Sequence, residues 1–447
     1  MKKLAVLLGL ALVAVQAGTA SARSLEDVLK EKGVITEEDY KEIQKSSPIK
    51  YKLGEGFNFT SADGKFSSSI GGIYQLRYTL MDLDGANNTT STKAQDSSKF
   101  ALQRIKLVFN GYAYTPNLTY KMSINFANLS NGGTANGGLL EETFVNYRLL
   151  DEVQFRFGQD KVQFGRQWIT SSAAQQFVDL SVVSNAFVPG YDTGVMVHGK
   201  IAGGLVNYNI AGYGGVGQNS YRSTTDNAFA ARLTVNPLGD VKYTESDVEH
   251  SVKPLASIGA NFYRNTLNPG TENTAYSSSA PNSGNNLTFA KSNTGWYQLA
   301  TTLMGTYTPS ARRISTSEAR DINTAGVDAV FKWLGFSATG EYFFAEADGH
   351  TTNNKLRAQG FYAQAGYFVI PKTVELAYRY SYIDPNRDVT NDLWVENTGA
   401  VSWYVNNHNL KVQADYTNVH KQAAIASPAG KNNTDDQQVR FQVQMLF

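Results

Sequence analysis

The sequence predicts an all-β protein, an antiparallel transmembrane β-barrel of about 16 strands with a short helical segment near its amino terminus. Three observations lead there. From about Phe66 onward, apolar and polar residues alternate with a period of two, the signature of strands with unlike faces. The connections alternate between tight turns and long polar loops, as in a barrel trimmed short on one rim. The chain holds 25 Tyr, 23 Phe and 39 Gly, yet its mean hydropathy is −0.33. That balance suits a membrane sheet in which only every second residue meets lipid.

The chain opens with Met1-Lys2-Lys3, an apolar run Leu4 to Val15 and the small residues Ala20-Ser21-Ala22. These are the charged, apolar and cleavage regions of a signal peptide spanning residues 1–22, leaving a mature chain that begins at Arg23. The apolar run is too short for a membrane helix, which needs ~20 residues. No cysteine follows it, which excludes lipid attachment through a thiol. Residues 23–50 read as a periplasmic helical or coiled segment broken at Gly33, with Ser24 and Thr36 as N-caps and Asp27 and Asp39 three residues on. Either a solvated helical hairpin or a small association element fits that pattern. Residues 51–65 link it to a barrel over 66–447.

Within the barrel, Ile105, Leu107 and Phe109 oppose Arg104, Lys106 and Asn110. Tyr120, Met122, Ile124 and Phe126 oppose Lys121, Ser123 and Asn125, and Thr115-Pro116-Asn117 turns the chain between the two segments. Short turns fall near 115–117, 150–152, 202–204, 333–335, 370–372 and 406–408. Long loops fall near 82–98, 129–139, 163–193, 214–226, 265–323, 347–357, 384–399 and 421–437. The longer link 236–254 must lie on the short-turn side. Counting 296–307 within the fifth loop gives sixteen strands and places both sheet ends in the periplasm; eighteen strands follow if that segment is paired. The last strand presents Val439, Phe441, Val443, Met445 and Phe447 to lipid, and its aromatic end resembles the signal read by barrel-assembly machinery. A soluble β-sandwich would also alternate, but aromatics near strand ends, polar opposite rows and the need to close so large a sheet favour the membrane.

Strand parity assigns a lumen row containing Arg77, Arg104, Lys106, Lys121, Arg148, Arg156, Arg232, Lys332, Arg379, Lys411 and Arg440. The acids in the same rows are Glu142, Asp160, Asp328, Glu341, Glu375 and Asp415. The wall is therefore basic although the chain has 40 basic and 39 acidic residues overall. A basic wall favours passing anions, although paired and screened charges would weaken that preference. Lys161 and Arg166 are constriction candidates in the third loop, with Arg312, Arg313 and Arg320 as second choices. Near-neutral bulk charge gives no reason to expect nucleic acid as a partner. The absence of cysteine excludes disulfides, thiolate zinc sites and covalent haem attachment. Five scattered His have no metal-ligand spacing, no nucleophile elbow is present, and no cofactor is expected. Asp82-Leu83-Asp84-Gly85 resembles the start of a calcium loop but lacks the distal Glu, so a solvated turn is expected.

From residue 66 to the end the chain resembles the phosphate-selective porin O/P family of Gram-negative outer membranes. The resemblance rests on Arg104 to Gly111, Val145 to Arg148 with Phe155 to Gln159, Lys161 to Gly165, Asn185 to Gly190 with Thr193 to Val195, Lys332 to Phe336 before Gly340 to Phe343, Gly360 to Tyr367, and Leu376 to Tyr380. It implies a sixteen-stranded homotrimeric porin in outer-membrane lipid, with its third loop folded inward. Gln163 replaces a common Pro, Tyr191 a common Arg, and Val178-Asp179-Leu180 an Arg-bearing segment. The expected function is passive diffusion of small anionic or neutral hydrophilic solutes, with phosphate and other oxyanions as candidate cargo. The alternatives are a barrel that scaffolds a separate electron-transfer cytochrome or other surface partner, and an outer-membrane hydrolase.

Overall fold

A computed structural model describes residues 25–40, 49–84, 96–127, 139–220, 224–268, 318–426 and 433–447. The expected signal peptide, Ser24, segment 296–307, Arg312 and Arg313 lie outside them. In the amino-terminal unit, helix Leu25–Glu31 stops before Gly33, whose φ of 66° no regular helix accepts. Thr36 begins the next helical turn: the Asp39 N–H donates to Thr36 Oγ1 at 3.0 Å, and the Thr36 N–H donates to Asp39 Oδ2 at 2.9 Å.

Among the described residues, sixteen antiparallel strands form the barrel. They are β1 (Phe66–Asp82), β2 (Ser97–Ala113), β3 (Thr115–Asn125), β4 (Leu140–Arg148), β5 (Gln154–Lys161), β6 (Tyr191–Ile201), β7 (Val206–Tyr213) and β8 (Ala228–Val235). The second half comprises β9 (Leu255–Leu267), β10 (Arg320–Trp333), β11 (Phe336–Gly349), β12 (Lys355–Ile370), β13 (Val374–Asp384), β14 (Trp394–Asn406), β15 (Leu410–Lys421) and β16 (Thr434–Leu446). Each strand pairs with its chain neighbour, and β16 pairs with β1 from Gln437↔Asp82 to Leu446↔Ile73, which closes the ring. β9 pairs directly with β10 across the fifth loop, so the ring needs no strand from that loop. This settles sixteen over eighteen. Closure matters energetically because a free sheet edge in hydrocarbon would leave unsatisfied peptide groups. Within the expected linker, Gly56–Thr60 is a short strand paired with the start of β1.

Alternation sorts the side chains. On β11, Ser337, Glu341, Phe343 and Ala345 are buried inward, while Phe336 and Tyr342 are exposed on the outer face. Trp333, Tyr367 and Trp403 stand outward near the short-turn rim, where interfacial aromatics belong. Two bulges adjust this parity. Gln75 pairs with Arg104 but Leu76 pairs with Leu102, so Gln103 is extra and lets Leu102 face out while Arg104 faces in. Met122 pairs with Thr143 but Ile124 with Leu140, and this second irregularity carries Glu141 inward beside Glu142.

The carboxy terminus completes the seam. Gly72 N–H donates to the Phe447 carbonyl at 3.0 Å, and Phe447 N–H donates back to the Gly72 carbonyl at 3.2 Å. The Phe447 ring stacks on Tyr74 at 5.6 Å. A Cβ on residue 72 would lie 2.2 Å from that ring and would displace it from its stack. Gly72→Val is therefore expected to lower the fraction of folded, heat-modifiable barrel on gels. Phe447→Ala is expected to do the same by removing a stack worth about 1 kcal/mol. Unchanged folded fractions in both variants would contradict this account of closure.

Candidate functional site: the lumen and its inward loop

The third loop, residues 162–190, carries only Arg166 and Asp179 as charged residues and is otherwise rich in Phe, Trp, Val, Ala and Gln. A loop of that composition belongs in a core. It turns into the barrel and forms two short helices, Arg166–Ile169 and Val182–Phe187. Ser181 caps the second: its Oγ accepts from the Ser184 N–H at 3.0 Å. Val162, Phe164, Val182, Val183, Ala186 and Phe187 pack on inward Met196, Tyr263, Ile322, Phe343, Leu356 and Ile383. The ring centroids of Phe164 and Phe187 lie 5.6 and 5.7 Å from that of Phe343, both in stacked orientation. The loop thus has a hydrophobic core of its own against one part of the wall.

Its backbone must also be satisfied once buried. The wall supplies the donors. Lys161 Nζ donates to the carbonyls of Trp168 at 2.7 Å and Thr170 at 3.0 Å. Gln75 reaches the Ser172 carbonyl, Gln444 that of Ala173, Lys411 that of Gln175 and Gln413 that of Gln176. Arg77 donates to the Val178 carbonyl at 2.8 Å, and Arg379 donates to those of Asp179 at 3.0 Å and Leu180 at 3.4 Å. Carboxylates take the opposite role. Glu341 accepts the N–H groups of Arg166 and Gln167, both at 2.6 Å, at the start of the first helix, and also the Tyr362 hydroxyl at 2.7 Å. Glu245 accepts Gln176 N–H at 2.6 Å, and Asp415 accepts Val178 N–H at 3.2 Å.

The link 236–254, on the short-turn side, folds inward beneath this loop. Lys332 Nζ donates to the Thr244 carbonyl and hydroxyl, both at 2.6 Å, and to the Ser246 carbonyl at 3.2 Å. The Ser246 hydroxyl donates to Glu375 at 2.8 Å. Arg166 sits 4.7 Å from the Tyr243 ring centroid and donates to Ser257 Oγ and the Lys242 carbonyl.

The residues of the basic row therefore divide. Arg232 forms a two-pronged pair with Asp328 at 2.7 and 2.9 Å, with no side-chain exposure on either partner. Arg440 pairs similarly with Asp415 at 2.7 and 2.8 Å. Arg77 pairs with Asp179 at 2.8 Å. Together with Arg379, Lys332, Lys411 and Arg166, these groups hold internal structure. The other cations face the lumen between β2 and β5. Lys121, Arg156 and Arg104 keep side-chain exposures of 31, 22 and 17 %, and Lys161 flanks them. Lys121 bonds Glu142 at 2.7 Å, Lys106 contacts Glu141 and Arg156 contacts Asp160. Arg148 lies at the rim, bonded to Asn117 and half exposed.

Sequence parity missed Glu141, because the bulge reverses its face, and it missed Asp179, because a loop has no parity. Burial opposes the Asp179 charge, but Arg77, Arg104 and Arg440 outweigh it and hold the carboxyl well below the ordinary range. Arg320 is buried at the head of β10. Asp84 accepts from the Asp435 N–H and its own N–H donates to Asp436, tying the first loop to β16.

A family model, phosphate-selective porin O and P, matches residues 74–305 and 309–445. The chain belongs to that family. It is an outer-membrane porin of the Gram-negative type, a channel by family and fold. An uncharacterised protein of Aquifex aeolicus is 24 % identical over 271 residues, 53 % of this porin and 60 % of that relative's length. Porin O of Pseudomonas aeruginosa is 22 % identical over 440 residues, covering 87 % of this chain and 90 % of its own. The outer-membrane channel DcaP of Acinetobacter baumannii shares the fold at a TM-score of 0.52 and 13 % identity, covering 87 % of this chain and 99 % of its own.

Proposed function

We propose that this porin passes small hydrophilic solutes with a preference for anions, along the strip of wall between β2 and β5. The observation that carries this reading is the grouping of exposed lumen cations there. Arg104, Lys121 and Arg156 line one side, with Lys106 beside them on Glu141, while Lys161 and the cations of the remaining wall are spent on the third loop and on buried ion pairs. Carboxylates accompany the pore cations, so the field is moderate. A dedicated phosphate cradle would need several guanidinium forks with free donors. Arg77, Arg232, Arg379 and Arg440 are already engaged by protein acceptors. Tyr191, at the position where an Arg is common, donates to Glu141, and Asp179 pairs with Arg77. A general preference for anions, oxyanions included, fits these contacts better than a tight phosphate site.

A pore charge a few ångströms from a passing ion contributes about 1 kcal/mol in a water-like medium, roughly fivefold in permeability. Arg104→Gln with Lys121→Gln should therefore lower the anion-to-cation permeability ratio severalfold in planar-bilayer reversal-potential measurements. The paired replacement Arg232→Met with Asp328→Leu should leave the ratio unchanged. An unaltered ratio in the first variant, or cation preference in the parent, would refute the proposal.

The barrel is also proposed to work as a homotrimer. β4, β5, β7 and β8 are only 8 or 9 residues long, against 13 to 16 from β9 to β12. At ~3.3 Å per residue and ~40° tilt, such short strands rise only about 20 Å, less than the ~25 Å apolar band of a membrane barrel. An outward groove of about 540 Å³ lies on that low wall, lined by Tyr147, Phe155, Val195, Ile210 and Phe229 among others. A second copy covers such a wall better than lipid does. Val195→Arg should convert the assembly to folded monomers by native mass spectrometry; a persistent trimer would place the interface elsewhere.

A further inference from the structure

Extracellular loop seven, between β13 and β14, carries a pattern that pore function does not use. Asp384-Pro-Asn386-Arg-Asp388-Val-Thr390-Asn-Asp392 places oxygen-bearing side chains at every second residue. In a twelve-residue calcium loop the same spacing supplies ligands from positions one, three, five, seven and nine. The glycine at position six and the distal glutamate are missing, with Val389 and Val395 in their places.

The structure adds an independent observation. Asp392 is only 1 % exposed, and its Oδ2 has no hydrogen-bond partner; Asp384 Oδ1 is likewise buried without one. Each carboxylate thus buries an oxygen that no protein donor serves, a costly arrangement for an anion. The two groups are close enough for the Asp384 charge to act on Asp392. Asn386 is fully buried, and its Oδ1 accepts from the Asp388 N–H at 3.1 Å. The other oxygen of Asp384 accepts from Gln359 Nε2 at 3.2 Å. The cation acting on Asp384 is Arg387, which is exposed on the rim.

We propose that loop seven is a calcium site in which the unpartnered oxygens of Asp384 and Asp392 bind the ion together with the Asn386 amide and loop carbonyls. No three or more His, Cys, Asp or Glu gather around one point among the described residues. The shell is therefore completed by amide, carbonyl and water oxygens. Calcium accepts such mixed, flexible shells of six to eight oxygens, whereas magnesium demands a near-octahedral one. The ion would fasten the loop to the rim beside the Arg387 N–H, which already donates to the Arg357 carbonyl at 3.0 Å.

The test uses full-length porin refolded in detergent without lipopolysaccharide, washed with chelator and titrated with terbium. Excitation of Trp394, two residues beyond Asp392, should sensitise terbium emission. Calcium should displace the terbium with a dissociation constant of about 0.1–1 mM, the range of extracellular modules. Asp384→Asn with Asp392→Asn should weaken calcium displacement at least tenfold. Trp394→Phe should remove most of the sensitised emission while leaving the carboxylates in place, which locates the ion even if the first variant does not fold. The absence of calcium-displaceable emission in the parent would overturn the proposal. Emission unchanged by Trp394→Phe, or equal calcium affinity in the carboxylate variant, would do the same.

Discussion

A polypeptide segment brought inside a barrel must have its peptide groups satisfied, and the rest of this lumen is arranged around that requirement. Between Trp168 and Leu180 the third loop has little regular secondary structure of its own. Side chains of the wall act as its hydrogen-bonding partner strand: Lys, Arg and Gln reach the carbonyls, and Glu and Asp reach the N–H groups. Each such bond to a charged group contributes about 1.5–3 kcal/mol. Losing one would also strand a buried polar atom. Together with the Phe164–Phe343–Phe187 stack, these bonds hold the loop against one part of the wall.

That constraint changes how the charge count should be understood. A basic excess along lumen-facing rows does not translate directly into a basic pore. Lys332, Lys411, Arg379 and Arg77 neutralise carbonyl dipoles and loop carboxylates, so they shape the channel by holding protein rather than by facing ions. The cations left in contact with the open lumen are fewer, and they sit on neighbouring strands. On the proposed reading, selectivity follows from which wall the loop leaves uncovered.

Much of the fold was legible because period-two alternation and the turn–loop rhythm are local signals. Sixteen strands, the lipid-facing row ending in Phe447 and the inward orientation of Arg77, Arg232 and Arg440 all follow from them. Parity could not foresee the bulge that turns Glu141 inward, since one extra residue reverses a whole row. Nor could it show that cations from four distant strands meet one loop. The composition of that loop was the available signal: a 29-residue connection with two charges and four aromatics is expected to pack rather than float. The low wall from β4 to β8 is likewise a difference in strand length, and boundaries are the least certain part of any reading from pattern.

Because the chain has no cysteine, single cysteines probed with a small charged thiol reagent during current recording test the uncovered-wall account most directly. Cysteine at Lys121 or Arg156 should react rapidly and change both current and ion preference. Cysteine at Ser402 or Gln413, inward, buried and bonded to the Gln176 carbonyl of the third loop, should stay unmodified. Equal reactivity at all four positions would show that the loop does not cover that wall, and would contradict the account.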